Sequence, residues 1–369
     1  MNRFKTLLFV LSVVFCLFIG ATSLIGYHIY CSGWWTAIWA VVAAGLLYGI
    51  VAYKIWKNIP GFLIHLSFIL MITGGICTRY LSHRGTLTLH PGVTDIQFVE
   101  DDGTIRKLPT SITLISFSIP IDSLTNTPTD YISLICDGEG KTYRISMNHI
   151  ARIGSYRFYQ SSYDEYGGTI LIVSHDPVGI GITYLGFLLF AIGGGWLMAT
   201  RMIMGRRLII FCLIIGLAWF GWLTGQSAEA HLPILSTPWL YVHIFFVIIG
   251  YSMLASASAI SFIGLLRTSC LHKYVPLATK LLLPGVYMVG IGIIIGSMWA
   301  NVSWGRYWGW DPKETWSLVT FLIYAIPLHR VFGLENRHRT LSYYLTFATL
   351  SIIMTYAGVN GLSSLHAYN

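Results

Sequence analysis

The chain has 369 residues, 55% of them hydrophobic and only 10% charged, and its mean hydropathy is +0.65, whereas soluble domains carry about 25% charged residues. That balance excludes a soluble globular enzyme and requires a membrane-embedded protein. The net charge of +8 would suit a nucleic-acid partner, but a membrane chain keeps its basic excess on cytoplasmic connections, so placement decides between the two.

Arg3 and Lys5 precede an apolar run from Leu7 to Ile25 with no small-residue cleavage site after it, so it is read as a retained helix with its N-terminus inside. Trp34 to Tyr53 forms a second span, Lys54 and Lys57 mark a turn, and Gly61 to Thr78 crosses back with His65 in its first turns. Residues 80–177 change character. Alternating runs at Thr86 to His90, Ser111 to Phe117 and Gly168 to Ser174, with turn signals at Asp101-Asp102-Gly103, Asp137-Gly138 and Gly167-Gly168, predict a small β-rich domain outside the cytoplasm. Apolar spans then resume at about 178–199, 208–224, 239–266, 281–299, 315–334 and 340–360. The expected fold is a polytopic α-helical membrane protein with about nine transmembrane helices and a β-rich extracytoplasmic domain.

Charge sorts the connections. Arg201, Arg206, Arg207, Arg267, Lys273, Lys280, Arg330, Arg337 and Arg339 fall on those assigned to the cytoplasm, while the short outer loops 26–33 and 225–238 carry no lysine or arginine. This distribution argues against nucleic acid as a partner. Six cysteines (Cys16, Cys31, Cys77, Cys136, Cys212, Cys270) are scattered without a C-x-x-C pair or a C-x-x-C-H segment, so no dithiol centre and no covalently attached haem is encoded.

Two cations depart from the rule, Arg306 and Lys313, and both lie in Trp304-Gly-Arg-Tyr-Trp308-Gly-Trp310-Asp311-Pro-Lys-Glu-Thr-Trp316 on the outer face. Tryptophan favours the membrane interface, so an aromatic belt is one reading. The other is a binding surface for a flat ligand, with Gly305 and Gly309 allowing close backbone approach and the cations meeting carboxylates. Asp311 has two readings of its own, a functional group or a helix N-cap with Glu314 one position off the ideal capping-box spacing.

Four histidines fall at two depths on this topology. His65 and His329 lie near cytoplasmic helix ends, and His243 and His366 lie at the outer face. An imidazole in a membrane needs a carbonyl, a side chain or a metal as partner, and paired imidazoles among tryptophans suit the axial positions of a haem iron better than zinc. His231, in an outer loop, is an alternative to His243. The tyrosines of Tyr159-Gln-Ser-Ser-Tyr163-Asp-Glu-Tyr-Gly-Gly168 are read as edge packing around a turn.

The thirteen-residue tryptophan stretch closely resembles the WWD signature of the System II cytochrome c synthases, in the half called CcsA. Residues from about 205 onward follow that half, closing on Gly358-Val-Asn-Gly-Leu-Ser-Ser-Leu-His366. The front of the chain is similar to the partner half, CcsB or ResB, through His65 and through the segment from Tyr159 to Pro177, although its ectodomain is shorter than that half usually carries. Together they resemble a CcsBA fusion, with transmembrane helices in 1–79, the β domain in 80–177, a fourth helix and linker in 178–204 and the WWD domain in 205–369.

The resemblance implies a holocytochrome c synthase, or haem lyase, of a bacterial inner membrane, with the N-terminus cytoplasmic and the WWD loop, β domain and C-terminus periplasmic. Haem b is taken up inside, held in transit by His65 and His329, and presented outside on His243 and His366. It is then joined to the C-x-x-C-H segment of an apocytochrome c whose cysteines separate thiol-disulfide reductants keep reduced. On that reading Trp304, Trp308 and Trp310 fix the ring plane, Asp311 belongs to the catalytic set, Trp316 belongs to the cofactor set, and Arg306 or Lys313 orients the propionates. Two rivals use the same residues: a haem exporter or chaperone without ligation, and a dihaem electron-transfer subunit.

Overall fold

The computed structural model describes residues 3–123, 126–201, 210, 214, 216–218, 237–329, 332–334 and 337–361. Among the described residues six segments are long and apolar enough to cross a membrane: Lys5–Thr22, Gly33–Ala52, Ile59–Leu81, Gly179–Thr200, Pro238–Leu266 and Thr268–Trp304. The expected span at 208–224 falls largely outside the described residues. Helices are numbered here in the order described, and the first four are α1 (Arg3–Thr22), α2 (Gly33–Ala52), α3 (Ile59–Leu81) and α4 (Gly179–Arg201). They are followed by α5 (Pro238–Leu266), α6 (Leu271–Trp304), α7 (Pro312–Ala325) and α8 (His338–Tyr356).

Two expectations are corrected. The span read at 281–299 belongs to a helix of 34 residues that runs through Pro276 and Pro284, so that Lys273 and Lys280, read as part of a connection, are helical. The span read at 315–334 is a 14-residue helix followed by the 3-10 turn Ile326–Leu328. At about 1.5 Å per residue that helix rises only about 21 Å, less than the hydrocarbon core of about 30 Å. Among the described residues α7 and α8 are not counted with the six segments of spanning length and hydropathy.

Small residues let the helices pair closely. Gly179, Gly186 and Gly193 recur every seven residues along α4, where an added Cβ would stand 2.6 Å from the Thr78 nitrogen, 2.9 Å from the Ser67 carbonyl and 2.9 Å from the Pro60 carbonyl of α3. A seven-residue repeat keeps one face of α4 on α3 for the whole length of the pair. α5 and α6 pair likewise, with Gly250 facing Val289 and Gly285 facing Leu254. Ile249, Leu254, Leu281, Val289, Val319, Tyr324 and Leu345 fill the core between α5, α6, α7 and α8.

The β domain is inserted between α3 and α4. It is one antiparallel sheet of eight strands in the order β5-β4-β3-β2-β1-β8-β7-β6. The strands are β1 (His83–Leu89), β2 (Thr94–Glu100), β3 (Ile105–Ser118), β4 (Ile132–Asp137), β5 (Thr142–Ile145), β6 (Ala151–Ile153), β7 (Tyr156–Tyr163) and β8 (Thr169–His175). β1 pairs with β8 from His83↔His175 to Leu89↔Thr169, so the helix pair α3–α4 continues directly into a strand pair. Alternation points Leu87, Leu89, Ile135, Phe158, Leu171 and Val173 into a core of the domain's own. The sheet curls over that core: Ser133 Oγ on β4 lies 2.6 Å from Gln160 Oε1 on β7 and 2.8 Å from Thr169 Oγ1 on β8. The turn signals read in the sequence fall at the strand connections, with Gly103 at φ +87° and Gly167 at φ +77°.

Candidate haem-handling site

The tryptophan stretch is the tight link between α6 and α7. α6 ends on Gly305, whose φ of +75° is the left-handed cap that glycine adopts without strain. Trp310 adopts φ +55° although it is not glycine, a conformation that persists where surroundings over-determine it. Those surroundings come from the other end of the sequence. Tyr30 stacks on Trp310 at 5.1 Å and 10°, and Trp35 and Trp39 of α2 meet it at 5.0 and 5.5 Å. Trp308 closes the cluster edge-on to Trp310 at 5.7 Å.

Asp311 caps α7. Its Oδ1 accepts the Lys313 N–H at 2.9 Å, and Glu314 Oε2 reaches back to the N–H groups of Gly309 at 2.8 Å and Asp311 at 3.3 Å. The capping box is complete with Glu314 at N3, the ideal spacing rather than one position off it. Lys313 is held below the ordinary lysine range by loss of water, with Asp311 opposing the shift. Arg306 folds back on the link, where a Cβ at Gly309 would lie 3.1 Å from its Cζ. Trp316 turns away toward α1, its Nε1 donating to Ser23 Oγ at 3.0 Å and its ring lying over Gly20. Trp304 stands edge-on to Trp299 at 4.9 Å. Trp308 leaves its indole N–H buried without a partner.

The β domain docks on this link. Tyr159, 1% exposed, lies under Gly305, where a Cβ would be 3.0 Å from its ring. Arg84 Nη2 donates to the Trp304 carbonyl at 3.4 Å, and Ser303 Oγ to Asn148 Oδ1 at 3.3 Å. Tyr307, which sequence reasoning passed over, joins three elements: its hydroxyl lies 2.8 Å from Thr78 Oγ1, which donates to Asp176 Oδ2 at 2.6 Å. The signals available for these contacts were Trp35 and Trp39 at helical spacing and Asp176-Pro177 at the exit of the β domain.

His243 sits in the second turn of α5, its Nδ1 2.7 Å from the Gly292 carbonyl and its ring over Gly296 of α6. A carbonyl only accepts, so the proton is on Nδ1 and Nε2 carries the lone pair. His65 makes the same bond to Gly61 O at 2.7 Å, and His329 to Ala325 O at 3.0 Å. Such a bond alone is not diagnostic, since His149 in an exposed turn makes it to Arg144 O. The setting distinguishes the other three. His65 and His329 face one another with ring centroids 5.9 Å apart at 90°. They lie at the end of the bundle away from the sheet, roughly 24 Å of α3 rise from its junction with β1. His243 lies at the sheet end, and His366 and the alternative His231 lie outside the described residues.

Comparison with known proteins finds two families in the chain. The family described as Cytochrome C assembly protein matches residues 180–366, and the ResB-like family matches residues 54–176. The chain is 34% identical over 150 residues to protein NrfI of Wolinella succinogenes, covering 37% of this chain and 17% of that protein. It is 33% identical over 157 residues to the cytochrome c biogenesis protein CcsA of Chlamydomonas reinhardtii, covering 39% of this chain and 44% of the relative. With CcsA of Gloeobacter violaceus it shares 39% identity over 116 residues, 31% of this chain and 34% of the relative. The chain thus spans less than two thirds of the length of each of these relatives. With a ResB-like domain running into an assembly domain in one polypeptide, the chain belongs to the cytochrome c assembly protein family and has the domain order of a CcsBA-type cytochrome c synthase.

Proposed function

We propose that this protein passes haem from a cytoplasmic-side site at His65 and His329 to an external site at His243 and His366, and there catalyses its covalent attachment to an apocytochrome c. The observation that carries the reading is that His65 and His329 face one another at one end of the bundle and His243 lies toward the other, each of these three imidazoles with its proton fixed on Nδ1. Haem b, a bacterial inner membrane, and a cytoplasmic N-terminus with the link and β domain in the periplasm belong to the same proposal.

The reaction adds a cysteine S–H across each of two vinyl groups. An S–C bond forms, the vinyl π bond is consumed, and the thiol proton ends on the other vinyl carbon. No electrons are gained or lost overall, so the protein's task is to hold the ring plane and leave the vinyl edge open to a C-x-x-C-H segment. Trp304 and Trp308 border the link for that purpose, while Trp310, clad by Tyr30, Trp35 and Trp39, keeps the link in shape. Because no C-x-x-C occurs in this chain, separate reductants keep the substrate thiols reduced.

The test is coexpression with a C-x-x-C-H apocytochrome, followed by haem staining under denaturing conditions. Haem that resists acid-acetone extraction is expected. Haem that is released, with the chain itself still loaded, would reduce the role to export, and a colourless chain from haem-replete cells would overturn the proposal altogether.

Asp311 has a separate prediction. As a helix cap it is replaceable by asparagine, an equally good N-cap, so Asp311→Asn is expected to keep holocytochrome yield within about twofold. Asp311→Ala should destabilise α7 by about 1 kcal/mol and lower the thermal midpoint in detergent. A well-folded Asp311→Asn protein without product would instead make the carboxylate part of the chemistry.

A further inference from the structure

At the junction of sheet and bundle, one turn of helix from His243, lies a cavity of about 150 Å³. Arg152 of β6 and Arg157 of β7 border it from the sheet, and Tyr184 of α4, Trp239 of α5, and Trp299 and Asn301 of α6 border it from the helices. The two arginines are direct partners in the β6–β7 ladder, so their side chains leave the same face of the sheet as adjacent like charges, an arrangement that is unfavourable by itself. Among the described residues neither has a carboxylate within 4 Å. Two more polar groups bordering the cavity are unsatisfied. Trp299 and Asn301 are 4% and 3% exposed, yet the indole Nε1 and the amide Oδ1 have no partner. Asn301 Nδ2 is 2.8 Å from Tyr184 Oη; with the amide turned about, the oxygen would accept that hydroxyl and the NH2 would join the indole N–H as an unused donor. Two guanidinium groups and two donors around a small cavity form a site for an anion.

The position specifies which anion. Trp239 precedes His243 by four residues on one face of α5, and Trp299 follows by three the Gly296 that underlies the imidazole. The cavity therefore opens roughly one to two helical turns from the imidazole toward the sheet, the reach of a short acid arm from the centre of a porphyrin. We propose that Arg152 and Arg157 seat the propionate carboxylates of the haem held at His243, so that the ResB-like sheet and the assembly domain build one haem seat between them. This inference rests on His243 being a haem ligand. It moves the propionate contacts from Arg306 and Lys313, where the sequence suggested them, to a pair that becomes visible only through strand register.

The experiment is a Soret titration of the purified full-length chain with iron protoporphyrin IX and, separately, with its dimethyl ester, counting as the outer site whatever His243→Ala removes. Wild-type protein is expected to bind the diacid at least about tenfold more tightly than the ester. The Arg152→Gln/Arg157→Gln double variant should bind both at the ester's affinity with an unchanged bound-state spectrum, and Arg→Lys at both positions should recover part of the difference. Equal wild-type affinity for acid and ester overturns the proposal without recourse to any variant. So does a double variant that still prefers the acid, or one that loses acid and ester alike. Repeating the titration in phosphatidylcholine and in phosphatidylglycerol nanodiscs separates a lipid headgroup: an arginine effect that appears only with phosphatidylglycerol and ignores the ester would give the cavity to lipid. Absence of any His243-dependent binding would refute the function proposed above, a result distinct from failure of the arginine assignment.

Discussion

Replacing His243 with alanine is expected to abolish holocytochrome formation, by at least about a hundredfold, while the protein still folds and inserts. The imidazole is held from α6, through its bond to Gly292 O and its seat on Gly296. Removing it takes away one hydrogen bond and leaves a small void, at a cost of about 1–3 kcal/mol, within what a domain stable by roughly 5–15 kcal/mol survives. On the function proposed above, what disappears is a ligand for the presented haem. A second variant separates ligation from packing. At Gly296 an added Cβ would fall 2.6 Å from His243 Nδ1, so Gly296→Leu should displace the ring and cut yield comparably with the histidine still present. Exogenous imidazole should restore part of the activity of His243→Ala, where the space is open, and none in Gly296→Leu, where leucine fills it. Holocytochrome at the wild-type level in His243→Ala, measured by haem stain against equal membrane content, would remove His243 from the mechanism.

Docking of the sheet gives these residues a common logic. Arg84, Asn148 and Tyr159 from the β domain hold the end of α6 at Ser303, Trp304 and Gly305, and Tyr307 ties the same link to Thr78 and Asp176 at the domain's entry and exit. The α1–α2 segment clamps Trp310 from the other side, and Arg79 of α3 braces that segment by donating to the carbonyls of Tyr30 and Cys31. A force on the sheet, such as a bound apocytochrome would apply, therefore acts directly on the end of α6 and the start of α7, about two to three helical turns from Gly296 and Gly292, where His243 is seated.

Much of this was legible in the sequence because it follows from short-range regularities. Alternation marked the strands, which run from His83 to His175, and glycine and aspartate marked the turns between them. The places of His65, His243 and His329 along their helices were legible for the same reason: position along a hydrophobic run is depth. Contacts between distant segments were not. Nothing local in Tyr30 or Trp35 announces that they clad Trp310, and Trp316 matches the signature whether it faces a ligand or, as here, Ser23 just past the first helix. Arg152 and Arg157 lie five positions apart and read as surface charges until the β6–β7 register sets them opposite one another. The length of α6 was missed because Lys273 and Lys280 looked like a loop, whereas lysines are good helix formers once clear of the hydrocarbon.

The inner histidines should behave as one unit. Their ring centroids are 5.9 Å apart, close to the roughly 6 Å set by two metal–nitrogen bonds of about 2 Å and two ring radii of about 1 Å. Bonds to Gly61 O and Ala325 O fix both protons on Nδ1, so each ring has Nε2 as its basic nitrogen, and one iron between them would use both. It follows that His65→Ala and His329→Ala should each lower the haem content of the purified chain by more than half, and that the double variant should be little worse than either single one, because losing one axial ligand already forfeits the bis-imidazole site. Exogenous imidazole is expected to raise occupancy in each single variant, with a bis-imidazole visible spectrum returning. Independent binding at two sites would instead give additive losses, and full haem occupancy in both single variants would remove the inner pair from the path.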